Sequence, residues 1–254
     1  MLSGLVKGRF LLEANFCTTA AISGNTAMAT PIILLNSIFD ALPSELSREL
    51  FEQGHSLSLN SDQILFLAGD KGDGCYCVEE GLLKASVATP KGGERILAIL
   101  GPGSVIGELS MIDGAPRSAS VTALRVSKLC YLSKADFEAV GKSSPEIYRY
   151  VMRVLARRLR DTNDALMASS FLPVKGRVAR ALLSLADAFG KDVGSGRILI
   201  RQKVSQSDLA AMAGIARENL SRALKDWSER GIVSRLAGYY CLEKKEAIER
   251  EAEP

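Results

Sequence analysis

The sequence predicts an α+β protein: an antiparallel β-domain, one long helix, and a small helical domain that ends in a β-hairpin. Three observations predict it. Gly and Pro recur roughly every ten residues from Gly69 to Gly103, which marks short antiparallel strands of a barrel or sandwich. From Ser144 to Ser170 a helical pattern runs with Pro only in its opening turn and no Gly inside, so nothing interrupts the helix. Between Ser205 and Leu242 two short helical patterns flank Gly214 and a hairpin pattern surrounds Ala237 and Gly238, which spells helix-turn-helix with a wing.

The chain's 254 residues suit two domains, and a 47% hydrophobic share is enough for two cores. Residues 1–35 are rich in Ala, Ser and Thr without clean periodicity, and read as a poorly ordered extension in which Met28 is an alternative start. A helical pattern over Leu35–Phe51 opens the β-domain, assigned to residues 36–143. Residues 144–172 form the long helix and a hinge, and residues 173–254 the winged helix-turn-helix.

A net charge of +3 permits nucleic-acid binding without demanding it. Cys17, Cys75, Cys77, Cys130 and Cys241 are odd in number and scattered, which suits free thiols in a reducing cytoplasm. The apolar run after Lys7 and Arg9 is cut by Glu13, and no stretch approaches the roughly 18 to 20 apolar residues of a membrane span. The expectation is a soluble, cytoplasmic protein with no membrane partner. One His, no zinc-ligand spacing and no phosphate loop leave no catalytic constellation, so no enzyme and no metal are expected.

Within the long helix Tyr148, Met152, Leu155, Leu159, Thr162, Leu166 and Ser169 alternate at spacings of four and three. Such a heptad seam argues for a parallel partner helix and a homodimer. The other reading is that these residues pack on their own barrel. After Pro173, Val178, Leu182, Leu183 and Leu185 mark a further helix, and Ile198–Ile200 a short strand.

Ser205 and Asp208 open a short helix as hydroxyl cap and acid at the positive end. Leu209 and Met212 turn inward and Gly214 stops it. The second helix buries Leu220, Ala223, Leu224 and Trp227, leaving Arg217, Glu218, Ser221, Arg222 and Lys225 outward. Arginine matches guanine O6 and N7 and glutamate accepts from cytosine N4, so this face suits a major groove, with Ser205 and Gln206 on phosphates. The plainer reading is a solvated face with local ion pairs.

The run Val105 to Val121 places Gly107, Glu108 and Arg117-Ser118 between apolar strands. Gly107 admits close backbone approach, Glu108 can accept from a sugar hydroxyl, and Arg117 with Ser118 can neutralise a phosphate. The alternative is an internal Glu108–Arg117 ion pair closing a turn.

From Leu35 to Leu242 the sequence resembles the catabolite activator (CRP/FNR) family: Gly107-Glu108-Leu109 and Arg117-Ser118-Ala119 look like its phosphate-binding cassette, and Ala216-Arg217-Glu218 with Arg222 like its recognition helix. The resemblance implies a jelly-roll effector domain, a dimer helix and a winged helix, with cyclic AMP as the prototype ligand. It places Glu108 on the ribose 2′-hydroxyl, Arg117 and Ser118 on the phosphate, and Ala85, Leu97 and Leu100 around the base. Thr162 and Asn163 would meet the purine amino group; the prototype has threonine and serine, and Asn163 leaves cyclic GMP open. The implied partners are a palindromic promoter site with TGTGA-like half-sites, read by helices about 34 Å apart, and RNA polymerase. Pro173 stands where the prototype carries an aspartate, so the cap role of that acid is lost and the hinge is stiffer.

The family also holds iron–sulfur and haem sensors, but only Cys17 precedes the barrel and His55 is the lone histidine, poor ligands for either group. A channel or kinase module would need membrane spans or a kinase core, neither of which is present. A regulator that keeps the cassette without binding nucleotide remains the chief rival.

Overall fold

The structure, a computed structural model, describes Leu50, residues 54–90 and residues 92–253, except the side chains at 157, 168 and 169. The extension over 1–35, the alternative start at Met28, the helix expected over 35–51 apart from Leu50, and the Ser169 side chain lie outside the described residues.

Two long strands organise the β-domain. β3 (Gly74–Ala88) runs antiparallel to β6 (Ser120–Ser133) from Gly74↔Ser133 to Ser86↔Ser120, with register shifts between Val78 and Leu83. β4 (Glu94–Leu100) pairs the other edge of β3, β1 (His55–Leu59) and β2 (Ile64–Phe66) share β6, and β5 (Val105–Ile106) returns to β3. Alternate residues point to opposite faces of a strand, so Val78, Leu83, Ala98, Leu100, Val121 and Leu129 meet as the inner core. On the outer side Cys75, Val105 and Leu132 pack against helices. Burial pushes the thiols of Cys75 and Cys77 up to about 12, so both behave as small apolar side chains.

Two helices interrupt what reads in the sequence as strand and loop. α1 (Glu108–Asp113) is bounded by Gly107 at φ 83 and Gly114 at φ 72. α2 (Lys134–Ser143) starts at Ser133, whose hydroxyl accepts from the Asp136 amide. The long helix α3 (Glu146–Phe171) and α4 (Val174–Phe189) follow, separated only by Leu172 and Pro173. The helix-turn-helix is α5 (Gln206–Ala213) and α6 (Arg217–Glu229), with a terminal helix α7 (Lys245–Glu251). The wing belongs to a second sheet ordered β7 (Gly190–Asp192), β8 (Ile198–Ile200), β10 (Tyr239–Leu242), β9 (Val233–Leu236). Ala237 at φ 50 and Gly238 at φ 89 turn the hairpin, as a two-residue turn with both φ positive requires.

The core of the C-terminal domain gathers Leu182, Leu185, Leu209, Leu220, Trp227 and Tyr240, and the same cluster takes in Leu82, Ile96 and Ile99 from the β-domain. The two domains therefore share apolar packing across their boundary. Leu182 is fully buried there, so Leu182→Ala is expected to lower unfolding free energy by about 2–5 kcal/mol, read from guanidinium denaturation.

Candidate functional site

Arg117 lies between α1 and β6 with its backbone pinned: its amide donates to Asp70 O at 2.8 Å and its carbonyl accepts from Gly69 N at 2.8 Å. The side chain is 5% exposed. Nη1 donates to Gly74 O at 2.9 Å and Gly107 O at 2.6 Å, and the guanidinium carbon stands 4.5 Å from the Phe66 ring centre and 5.9 Å from that of Tyr76. A Cβ at Gly72 or Gly107 would collide with this guanidinium, so both glycines make its room. Its buried Nε has no partner among the described residues. A buried cation with an unused donor, cradled by two glycines, fits an anionic ligand.

Glu108, 4% exposed, opens α1. The Glu108–Arg117 pair left open by the sequence does not form; the carboxylate instead pairs with Arg158 Nη1, and Arg158 Nη2 donates to Val105 O at 2.7 Å. Arg158 comes from α3, one turn before Thr162, whose hydroxyl donates to Arg158 O at 2.8 Å. Sequence reading missed Arg158, Phe66 and Tyr76. For Arg158 a signal exists: it precedes Thr162 by four, the spacing that stacks side chains on one helix face.

The structure brings Gly107, Glu108 and Arg117 together with Arg158, while Ser118 is exposed and Ala119 half-buried beside Arg117. Ala85 is half-buried and Leu100 is sealed in the inner core at 1% exposure. Leu97 is 42% exposed, at the point where the β3–β4 register shifts, and Leu109 is also turned outward.

On α3 the side facing its own barrel is Ile147, Val151 and Val154. The heptad residues lie elsewhere: Tyr148, Met152, Leu159 and Leu166 are exposed, Thr162 and Asn163 likewise, and Leu155 is half-buried. Met152, Leu159 and Leu166 thus do not pack on their own barrel, whereas Tyr148 meets the Phe137 ring of α2 edge-on, with centroids 5.8 Å apart.

In the helix-turn-helix Ser205 caps α5, its hydroxyl accepting from Asp208 N at 2.9 Å. Leu220, Ala223 and Trp227 of α6 are buried, whereas Arg217, Glu218, Ser221, Arg222 and Lys225 are all exposed on the opposite side. Ser205 is exposed and Gln206 half-buried. The back of α6 is anchored by Asp226, which accepts from Lys175 at 2.8 Å.

Residues 56–144 match the cyclic nucleotide-binding domain family, and residues 176–251 match the Crp-like helix-turn-helix domain family. The chain is 35% identical over 202 residues to the CRP-like cAMP-activated global transcriptional regulator of Mycobacterium tuberculosis, covering 80% of this chain and 86% of that protein. The chain belongs to the CRP/FNR family of transcription regulators. Another relative is the Cyclic AMP receptor protein of Thermus thermophilus, 34% identical, covering 76% of this chain and 82% of that one. The c-di-GMP responsive global regulator CLP of Xanthomonas campestris shares the fold, with a TM-score of 0.70 at 21% identity over 80% of this chain and 100% of CLP. The chain is thus a DNA-binding regulator with a cyclic nucleotide-binding domain, and among the described residues no helix is long and apolar enough to cross a membrane.

In this CRP/FNR regulator the pair between Glu108 and Arg158 joins α1 of the cyclic nucleotide-binding domain to the long helix. Removing one partner of a buried pair leaves the other charge uncompensated, at a cost of about 3–5 kcal/mol. Arg158→Met is expected to lose that much stability at neutral pH, with most of it recovered in Arg158→Met/Glu108→Gln, as read by urea unfolding.

Proposed function

We propose that this regulator works as a cytoplasmic homodimer whose affinity for a palindromic promoter site is set by a cyclic nucleotide, cyclic AMP ahead of cyclic GMP. The observation that carries the proposal is the buried Arg117 guanidinium with its unpaired Nε. The nucleotide phosphate would take that donor together with Ser118, and the ribose 2′-hydroxyl would reach Glu108. Ala85 would wall the base; Leu97, exposed, and Leu100, sealed in the inner core, are not placed around one ring. The cAMP-activated relative from Mycobacterium tuberculosis supports the choice of ligand class.

Thr162 supports cyclic AMP over cyclic GMP. Its single hydroxyl proton is engaged by Arg158 O, which leaves the oxygen as an acceptor. Adenine offers an amino donor at position 6 where guanine offers a carbonyl; the latter would depend on the Asn163 amide alone.

The exposed stripe of Tyr148, Met152, Leu159 and Leu166, completed by Leu155, Thr162 and Ser169, would pair with its equivalent on a second copy. Nucleotide binding pulls on Glu108 and hence on Arg158, so it biases the register of the two helices and the placing of the two copies of α6. A coupling of about 1–3 kcal/mol is enough for a useful change in DNA affinity. Contact with RNA polymerase would convert binding into control of transcription.

A second reading, DNA binding without nucleotide, is favoured by one observation: Glu108 already has a partner in Arg158. Calorimetric titration is expected to give binding of cyclic AMP, weaker binding of cyclic GMP, and loss of both in Arg117→Gln. Operator binding at fixed salt, unmoved by either nucleotide and unchanged in Arg117→Gln, selects the second reading.

For the DNA face, Arg222→Ala is expected to relax base choice by about 1–3 kcal/mol at one half-site position, while Gln206→Ala weakens all sequences alike. Competition binding with single-base operator variants separates the two.

A further inference from the structure

Strict alternation along β4 would put Ile96 on the same side as Ala98 and Leu100. It does not: Ala98 and Leu100 belong to the inner core, while Ile96 and Ile99 pack with Leu209 and Met212 of the DNA-binding domain. The register with β3 slips at Leu97, between the Ala85↔Ala98 and Ser86↔Ile96 pairs, and a bulge of this kind re-aims the side chains that follow it. One short strand thereby lines the effector core with one face and seats α5 with the other.

The polar contacts of this seat lie at both ends of α5. At its start Lys84 Nζ stands 2.6 Å from Glu94 Oε2 and 3.5 Å from Asp208 Oδ1, so a β3 lysine bridges the hairpin and the capped helix terminus. At its end the Arg95 guanidinium lies against Gly214, where a Cβ would collide with it, and Arg177 Nη1 donates to Gly214 O at 3.4 Å. The seat leaves Arg217, Glu218, Ser221, Arg222 and Lys225 exposed.

We infer that Lys84 and Arg95 are positioning residues for DNA reading, clasping α5 at its two ends against β4 so that each α6 is presented at a fixed orientation. The inference rests on the palindrome reading above. Two half-sites are engaged at once only when both domains are correctly turned. A domain held by its hinge alone spends part of its time misdirected, and apparent affinity falls by the competent fraction.

The test compares the full chain with Lys84→Glu/Arg95→Ala, which breaks the ion pair at one end and removes the close contact at the other, on a duplex carrying inverted TGTGA half-sites and on a scrambled duplex of equal length, with cyclic AMP present. Operator affinity should fall about tenfold or more while scrambled-duplex binding stays within about twofold, since the reading face is untouched. In Lys84→Glu/Asp208→Lys the exchanged charges should restore at least half of the loss measured for Lys84→Glu. Scanning calorimetry supplies a readout without DNA: the parent chain should unfold in one transition and Lys84→Glu/Arg95→Ala in two, as domains linked only by a hinge do. Operator binding unchanged or tightened, no rescue by the charge exchange, or a single transition in the variant overturns the clasp. A parent chain that ignores the palindrome but melts once, with the variant melting twice, sinks the palindrome reading and keeps the clasp.

Discussion

The contact on which the architecture turns is the buried pair between Glu108 and Arg158. Taking both charges out of water costs about as much as their attraction returns, so the pair adds little net stability. Its effect is geometric. Glu108 sits at the first turn of α1, behind a glycine at φ 83, and Arg158 sits midway along α3. With Arg158 also held on Val105 O, the start of α1 cannot shift without moving the long helix or leaving a buried charge unpaired. A helix whose exposed side is lined with Met152, Leu159 and Leu166 needs a fixed azimuth, and this pair supplies it.

Arg117 complements that arrangement from the other side of the loop. It is buried without a carboxylate partner, held by two carbonyls and two aromatic faces. Carbonyl dipoles and ring quadrupoles tolerate a cation without neutralising it, so the guanidinium keeps its positive field. Had Glu108 paired with Arg117, that field would have been cancelled. The two arginines are divided: Arg158 takes the acid, and Arg117 is left without a carboxylate, which is what the proposed nucleotide phosphate would require.

Much of this was legible in the sequence because the relevant signals are local. The Ser205–Asp208 cap, the Gly214 turn and the apolar face of α6 each span a few residues, the heptad spacing repeats within one helix, and α3, α5 and α6 form where they predict. That Gly107, Glu108 and Arg117 lie in one place was readable from their short spacing, but their partners were not. Arg158 is about 50 positions from Glu108, and an arginine beside a heptad seam reads as a solvated flank. Phe66 and Tyr76 look like ordinary strand aromatics until the sheet folds them over Arg117. The helix α1 escaped because its six residues are too few to establish a period. The bulge at Leu97 was equally invisible, since it depends on how β4 aligns with β3, and it carries Leu97 to an exposed position.

The hinge shows where the remaining control must reside. Pro173 occupies the cap position of α4 and makes no side-chain cap bond there; its fixed φ restricts the chain but anchors nothing. Only Leu172 and Pro173 separate α3 from α4, so rotation of the long helix passes directly into the DNA-binding domain. What resists that rotation is the shared cluster of Leu82, Ile96 and Ile99 with α4 and α5. Apolar contact is nondirectional and tolerates sliding, whereas the ion pair of Lys84 with Asp208 and the close fit of Arg95 on Gly214 hold at one orientation only. A regulator with an uncapped hinge therefore places its angular precision in the interface between domains rather than in the link between them.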